Sequence, residues 1–141
     1  MQCLSGGRTL YAGLPSAVAD NGGAVPGRRW FPVRVVLYQI ALEEKNARLL
    51  FQDLQSIKAA SGSRVPAEAY EAVYHGEVDA KTLEDIFCIF NMAHPKGYCG
   101  RSLSVSDVVE VFGPLGNSDF FFCEPAGFAR IEFDKSRTRR M

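Results

Sequence analysis

The chain has 141 residues, 47% hydrophobic and 23% charged, with sixteen basic residues against sixteen acidic ones. That length suits one domain, and the composition excludes a chain disordered throughout, a collagen-like repeat and a coiled coil. No apolar run approaches the roughly 18–20 residues of a membrane-spanning helix, so no membrane association is expected.

Charge is unevenly placed. Residues 1–29 carry Arg8, Arg28 and Arg29 against Asp20, a net of +2; the tail 135–141 carries Lys135, Arg137, Arg139 and Arg140, a net of +4; the body 30–134 is therefore −6. A basic tail on an acidic body can steer an acidic partner or a nucleic acid, but no aromatic residue interleaves it as a stacking surface requires, and a solvated chain end is the preferred reading. Cys3, Cys88, Cys99 and Cys123 are widely and irregularly spaced. Gly6, Gly7, Arg8 and Pro15 interrupt the apolar stretch a secretory leader needs. Reduced thiols and a cytoplasmic location are therefore expected.

Residues 1–29 are rich in glycine, contain Pro15 and Pro26, and show no periodicity, so they read as a poorly ordered arm. From Val33 to Ile40 a β-branched and aromatic run predicts a strand. A polar turn at 43–46 and a short strand at 48–51 would make it an N-terminal hairpin. Asp53 can cap a helix over 54–60, with Gly62 where a C-terminal glycine belongs and Pro66 beyond it. The segment 67–74 is open between helix and strand, and Gly76 is expected to end it. Thr82 begins the clearest helix, in which Leu83, Ile86, Phe87 and Phe90 fall on one face. Negative charge at Glu84 and Asp85 suits its N-terminus, and Pro95 and Gly97 stop it. Residues 104–112 match helical spacing, yet their valines and short length favour a turn at 104–107 followed by a strand. Strands at 120–123 and 128–133 would complete a C-terminal antiparallel three-stranded meander. Strands and helices do not alternate as βαβ units, so the fold class is α+β: a small single domain with a hairpin, two short helices and a meander.

The chemistry-bearing residues are sparse. Cys88, His94, Cys99 and Cys123 have the types of a metal site without its paired spacing, so packed thiols are preferred and no metal or other cofactor is expected. Cys99, His94 and Asp107 have the types of a nucleophile, a base and an orienting carboxylate, a combination any small cysteine-containing domain offers. The adjacent carboxylates Glu43–Glu44 and Glu84–Asp85 point apart and make no acid–base dyad. No catalytic residue is assigned and no enzyme is expected. The phenylalanines at 120–122 could stack on bases, but core packing is the better reading.

The densest polar stretch is 91–107, Asn-Met-Ala-His-Pro-Lys-Gly-Tyr-Cys-Gly-Arg-Ser-Leu-Ser-Val-Ser-Asp. Asn91, His94, Pro95, Tyr98, Arg101, Ser102, Ser104, Ser106 and Asp107 are the candidate site residues. Ser104 and Asp107 stand at capping-box spacing, and Arg101 can pair with Asp107. Two readings stay open: a well-tied loop that docks the helix on the meander, and a rigid polar surface that meets a partner.

These residues resemble the YodL-like domain family. The resemblance rests on Val35-x-Leu37-Tyr38-Gln39, on Phe51, on Tyr70-x-x-Val73-Tyr74-x-Gly76 and on Leu83-x-x-Ile86-Phe87. Its strongest part is Phe90-Asn91-x-x-His94-Pro95-x-x-Tyr98-x-Gly100-Arg101-Ser102-Leu103-Ser104-Val105-Ser106-Asp107-Val108-Val109. It closes with Phe121-x-Cys123-Glu124-x-x-Gly127-Phe128 and Phe133. It covers about residues 33–134 of a domain read as 30–134, with no counterpart for residues 1–30 and with Cys123-Glu124 where a β-branched residue and Asp are expected. It implies an accessory domain of low-GC Gram-positive bacteria and their mobile elements, with no established enzymatic activity to carry over. A host or element protein is the expected partner, with nucleic acid through the basic tail as the alternative.

Overall fold

The strand 32–40 is where the sheet begins and where its two layers of packing meet. The computed structural model describes residues 32–95, 98 and 100–139; the arm expected over 1–29 lies outside the described residues. Along β1 (Pro32–Ile40), Val33, Val35 and Leu37 face one side, while Tyr38 and Ile40 join a core on the other. The remaining elements are α1 (Leu54–Ala60), β2 (Tyr70–Asp79), α2 (Leu83–Met92), β3 (Val108–Phe112), β4 (Ser118–Glu124) and β5 (Gly127–Ile131). Short 3-10 turns occur at Glu44–Leu49, Ala67–Ala69 and Lys135–Arg137. The strands form one antiparallel sheet in the order β2-β1-β3-β4-β5, an α+β arrangement. Among the described residues no helix is long and apolar enough to cross a membrane.

The N-terminal hairpin does not form. β1 pairs with β2 on one side and β3 on the other, so its partners come from far along the chain. The segment expected as its second strand lies in and just after a 3-10 turn. Asn46 is buried and donates its Nδ2 to the Ala41 carbonyl at 3.0 Å, its own amide bonds the Glu43 carbonyl at 2.9 Å, and Leu49 enters the core. Phe51 then takes φ 63°, a left-handed conformation that no strand continues.

The ambiguous segment 67–74 divides into the 3-10 turn and the start of β2. Gly76 does not end it but lies within β2 opposite Val35. Tyr74 lies back over this position, since a Cβ on Gly76 would come within 2.6 Å of the Tyr74 hydroxyl oxygen. Val73 is the extra residue of a bulge opposite the Leu37/Tyr38 step.

α1 and its Asp53 cap follow the expectation, with Asp53 Oδ1 accepting from the Ser56 amide at 2.8 Å. α2 starts from a capping box: the Asp85 amide donates to Thr82 Oγ1 at 3.0 Å and the Thr82 amide to Asp85 Oδ2 at 3.2 Å. Its buried stripe is Leu83, Ile86 and Phe90, packed on Val33, Val35, Leu37, Val109 and Val111. Phe87, expected on the same face, is half-buried at the margin. On the opposite face of the sheet, Ile57 of α1, Leu49 and Val65 pack with Tyr38, Ile40, Val108 and Phe122.

The three C-terminal strands pair in succession, but as one half of a five-stranded sheet rather than as a separate meander, because β3 also pairs with β1. β3 is thus central and buried on both faces, which explains its near-continuous valine run. The chain then folds back across the sheet. Phe133 inserts its ring 5.1 Å from that of Tyr38 and 5.3 Å from those of Tyr70 and Phe120. Lys135 Nζ reaches the fully buried Glu110 carboxylate at 2.8 Å, and Arg139 clasps Glu43 through both terminal nitrogens.

Truncating Phe90, which is fully buried, is expected to cost about 3–5 kcal/mol in urea unfolding. Phe87→Ala should cost clearly less, and equal losses would contradict this placement of the helix.

Candidate functional site

Gln39 interrupts the apolar run of β1 with a buried carboxamide, and the polar motif assembles around it. Its Nε2 donates to the Arg101 carbonyl at 2.8 Å and to Asp107 Oδ2 at 3.0 Å; its Oε1 accepts from the Arg101 amide at 2.9 Å. One side chain therefore satisfies both backbone groups of Arg101 and joins them to Asp107. The Tyr98 hydroxyl donates to the same Arg101 carbonyl. Gly100 permits that approach, since a Cβ there would stand 2.5 Å from the Tyr98 hydroxyl oxygen.

The turn before β3 is closed in two directions. Asp107 Oδ2 accepts from the Ser104 amide at 2.8 Å, and the Asp107 amide donates to the Ser104 carbonyl at 3.0 Å. Ser104 completes no reciprocal cap, because its hydroxyl donates to the Ser102 carbonyl at 2.9 Å. Ser106 is buried with φ 84°. Its amide donates to the Cys123 carbonyl, its carbonyl accepts from the Tyr70 hydroxyl at 2.7 Å, and its Oγ accepts from the Phe51 amide at 3.2 Å. Asn91 ties the end of α2 to the loop by donating to the Phe87 carbonyl at 2.8 Å and the Leu103 carbonyl at 3.0 Å.

Arg101 does not pair with Asp107. Its Nη2 donates to the Ile40 carbonyl at 3.0 Å, and its charge acts on Asp107 without a direct bond. His94 is exposed, its ring centroid 5.2 Å from that of Tyr98, and the Pro95 carbonyl accepts from the Tyr98 amide. Ser102 is exposed. Of the candidate residues, then, Asn91, Tyr98, Arg101, Ser104, Ser106 and Asp107 form one hydrogen-bonded cluster, while His94 and Ser102 stay at the surface. Gln39 and Glu110 are the polar residues that motif reading passed over. Both stand inside apolar strands, and that interruption is the signal that finds them.

The electrostatics follow from burial. Asp107 is pushed up to about 7, because burial penalises its charge more than the Ser104 amide, Gln39 and Arg101 favour it. Burial and the nearby Asp107 carboxylate raise the hydroxyls of Tyr70 and Tyr98. Burial, then Asp107, pushes the Cys123 thiol up to about 12, which holds it as a neutral thiol rather than a nucleophile. The reduced-thiol expectation fails at Cys88, which is disulfide-bonded and so cannot supply a thiolate to a metal. Cys99 lies outside the described residues. His94 at the surface and Asp107 beneath it, bonded to Gln39 and Ser104, do not form the orienting pair of a nucleophilic triad.

The basic tail is engaged too. Lys135 bonds Glu110, Arg137 Nε lies 3.7 Å from Asp134, and Arg139 binds Glu43, while the Arg139 amide donates to the Tyr70 carbonyl.

The family model described as the YodL-like domain matches residues 34–133. Over 86 residues the chain is 33% identical to the large ribosomal subunit protein uL18 of Natronomonas pharaonis, a match covering 60% of this chain and 47% of that protein. The chain thus spans about half the length of the curated relative it matches. No solved structure matches it.

Because the folded state holds the Asp107 proton to about pH 7 and the unfolded chain releases it near 3.8, the folded state binds more protons between those values. The stability this confers is full below about pH 4 and is lost as pH rises through about 7, an effect of about 4 kcal/mol. Asp107→Asn keeps an acceptor for Ser104 and Gln39 and removes the titration. Urea unfolding from pH 4.5 to 7.5 should show wild type losing stability relative to this variant, and parallel curves would refute the assignment.

Proposed function

The chain belongs to the YodL-like domain family, and from that membership we propose that it is a non-enzymatic protein-interaction module of a mobile genetic element of Gram-positive bacteria. In this reading it binds and modulates a host or element protein in the cytoplasm, such as a defence component or a cytoskeletal assembly. Cytoplasmic reductants keep most thiols reduced, so the Cys88 bond belongs to an oxidised form of the protein.

The observation that supports the reading is a division of labour around the motif. Its buried groups hold the loop, and large apolar side chains stand exposed beside it: Leu42 is 66% exposed, Phe51 57% and Met92 74%. Each is anchored to the loop. Leu42 lies two residues after Ile40, whose carbonyl takes the Arg101 guanidinium; Phe51 bonds Ser106 through its amide; Met92 follows Asn91, which bonds Leu103. Exposed apolar residues on a rigid polar base make a protein-binding surface.

The second reading is a nucleic-acid accessory factor, for example in plasmid transfer. It is favoured by the charge of the tail and by the likeness to a protein named for the ribosomal subunit. The engagement of Lys135, Arg137 and Arg139 with carboxylates weighs against it.

Affinity capture from host lysate with the full chain, with and without nuclease, separates the two. The interaction module is expected to recover one identified protein in both arms and to lose it on Phe51→Asp. Recovery only without nuclease, falling steeply with salt, would move the assignment to nucleic acid.

A further inference from the structure

β2 is an edge strand. Among the described residues its one sheet neighbour is β1, and it carries neither the proline nor the lysine that commonly blocks an edge. The direction of its backbone groups follows from the ladder. The Ala69 carbonyl accepts from the Ala41 amide at 2.9 Å, toward β1, and the Tyr70 carbonyl accepts from the Arg139 amide at 2.9 Å, away from it. Antiparallel alternation therefore turns the backbone groups of Ala72 outward, and the bulge at Val73 moves the next outward groups to His75 and Glu77. By the same alternation, Gly76 and Val78 bond inward to β1.

The chain itself uses one end of this edge. Thr138 is extended and Arg139 forms a parallel bridge with Glu71, so a basic stretch already lies against β2 as a strand would. Charge favours the same chemistry further along. From Tyr70 to Asp85, the acids Glu71, Glu77, Asp79, Glu84 and Asp85 stand against Lys81, and β1 adds Arg34 opposite Glu77. A second copy paired edge to edge would bring these acids together. The two sides of the edge also differ. Val73 and Tyr74 are half-buried on the side of α2, where Tyr74 packs its ring 5.2 Å from that of Phe90, while His75 and Glu77 are exposed on the other side.

We propose that the β2 edge from Ala72 to Glu77 receives an extended segment of a partner protein as a further strand of the sheet, and that this segment alternates basic and apolar side chains. Its backbone pairs with the outward groups of Ala72, His75 and Glu77, which supplies affinity without regard to sequence. Its apolar side chains cover Val73 and Tyr74, and its lysine or arginine side chains meet Glu77, which supplies the selection. The inference rests on the interaction-module reading and adds where the partner docks and what chemistry it carries.

The test is anisotropy titration of the full chain against a labelled peptide of alternating lysine and valine, with amide hydrogen exchange followed residue by residue by NMR. Binding is expected to slow exchange at the Ala72, His75 and Glu77 amides and to leave Gly76 and Val78, already bonded to β1, unchanged. The same peptide N-methylated on every residue should not bind, and one alternating glutamate and valine should bind more weakly. His75→Pro should abolish binding, because it removes an outward amide and no bond to β1. Glu77→Lys should weaken binding about fivefold, and it decides the matter together with the methylated peptide if His75→Pro fails to fold. No binding, binding kept by the methylated peptide or by either variant, equal binding of the glutamate peptide, or unchanged exchange at His75 and Glu77 would each overturn the proposal. A protein captured in both nuclease arms that still binds the His75→Pro variant would overturn the edge and leave the interaction module standing. Absence of nuclease-independent capture would remove the module itself.

Discussion

The Gln39 carboxamide is the point on which the organisation of this domain turns. It lies on a buried strand where an unsatisfied amide would cost about 1–3 kcal/mol, and its side chain bonds to one loop, at Arg101 and Asp107. Because the bonds run in both directions between β1 and that loop, the loop cannot slide without leaving buried groups unpaired. Asp107 extends the constraint to the turn before β3, and Ser106 extends it to Phe51, Tyr70 and Cys123. The end of α2, the start of β3 and the segment after β1 are thereby held as one unit. What is displayed beside that unit is displayed at fixed positions.

A second buried polar group serves the other face of the sheet. Glu110, on the central strand, accepts from the Tyr38 hydroxyl at 2.8 Å, from Ser118 Oγ at 2.6 Å and from Lys135 at 2.8 Å. Its charge is therefore bonded on both oxygens, the condition under which a buried carboxylate is tolerated. Lys135 also lies 5.3 Å above the Phe112 ring, and Arg34 lies 5.0 Å from it. The segment that sequence reading treats as a solvated basic tail is in this way part of the packing of the second core.

Local patterns were legible where local chemistry decides them. Asp53 and Thr82 have side chains that cap helices whatever lies elsewhere, and α1 and α2 begin directly after them. The turn at 104–107 was legible for the same reason, with the Asp107 carboxylate bonding the Ser104 amide. The hairpin was not legible, because β1 gains its neighbours from β2 and β3, and pairing between distant segments leaves no mark on the intervening turn. Gly76 misled because a strand glycine that makes room for Tyr74 looks like one that ends a strand. At the site, the motif was visible as a cluster of hydrogen-bonding residue types. That Gln39 would be its hub, and that Arg101 would meet the Ile40 carbonyl rather than Asp107, depended on which strand the loop docks against.

The placement of β1 between β2 and β3 also sets the order in which the domain can be built. Its contacts to β3 join residues such as Val35 and Val111, far apart in the chain, and loops of that length are closed late because their entropy is lost before their contacts form. During synthesis, β1 and β2 emerge as a pair whose inner edge and apolar face wait for β3, α2 and the returning residues around Phe133. A ribosome-bound intermediate truncated before β3 would therefore present an open strand edge, the form of the domain most exposed to misassembly and to chaperones.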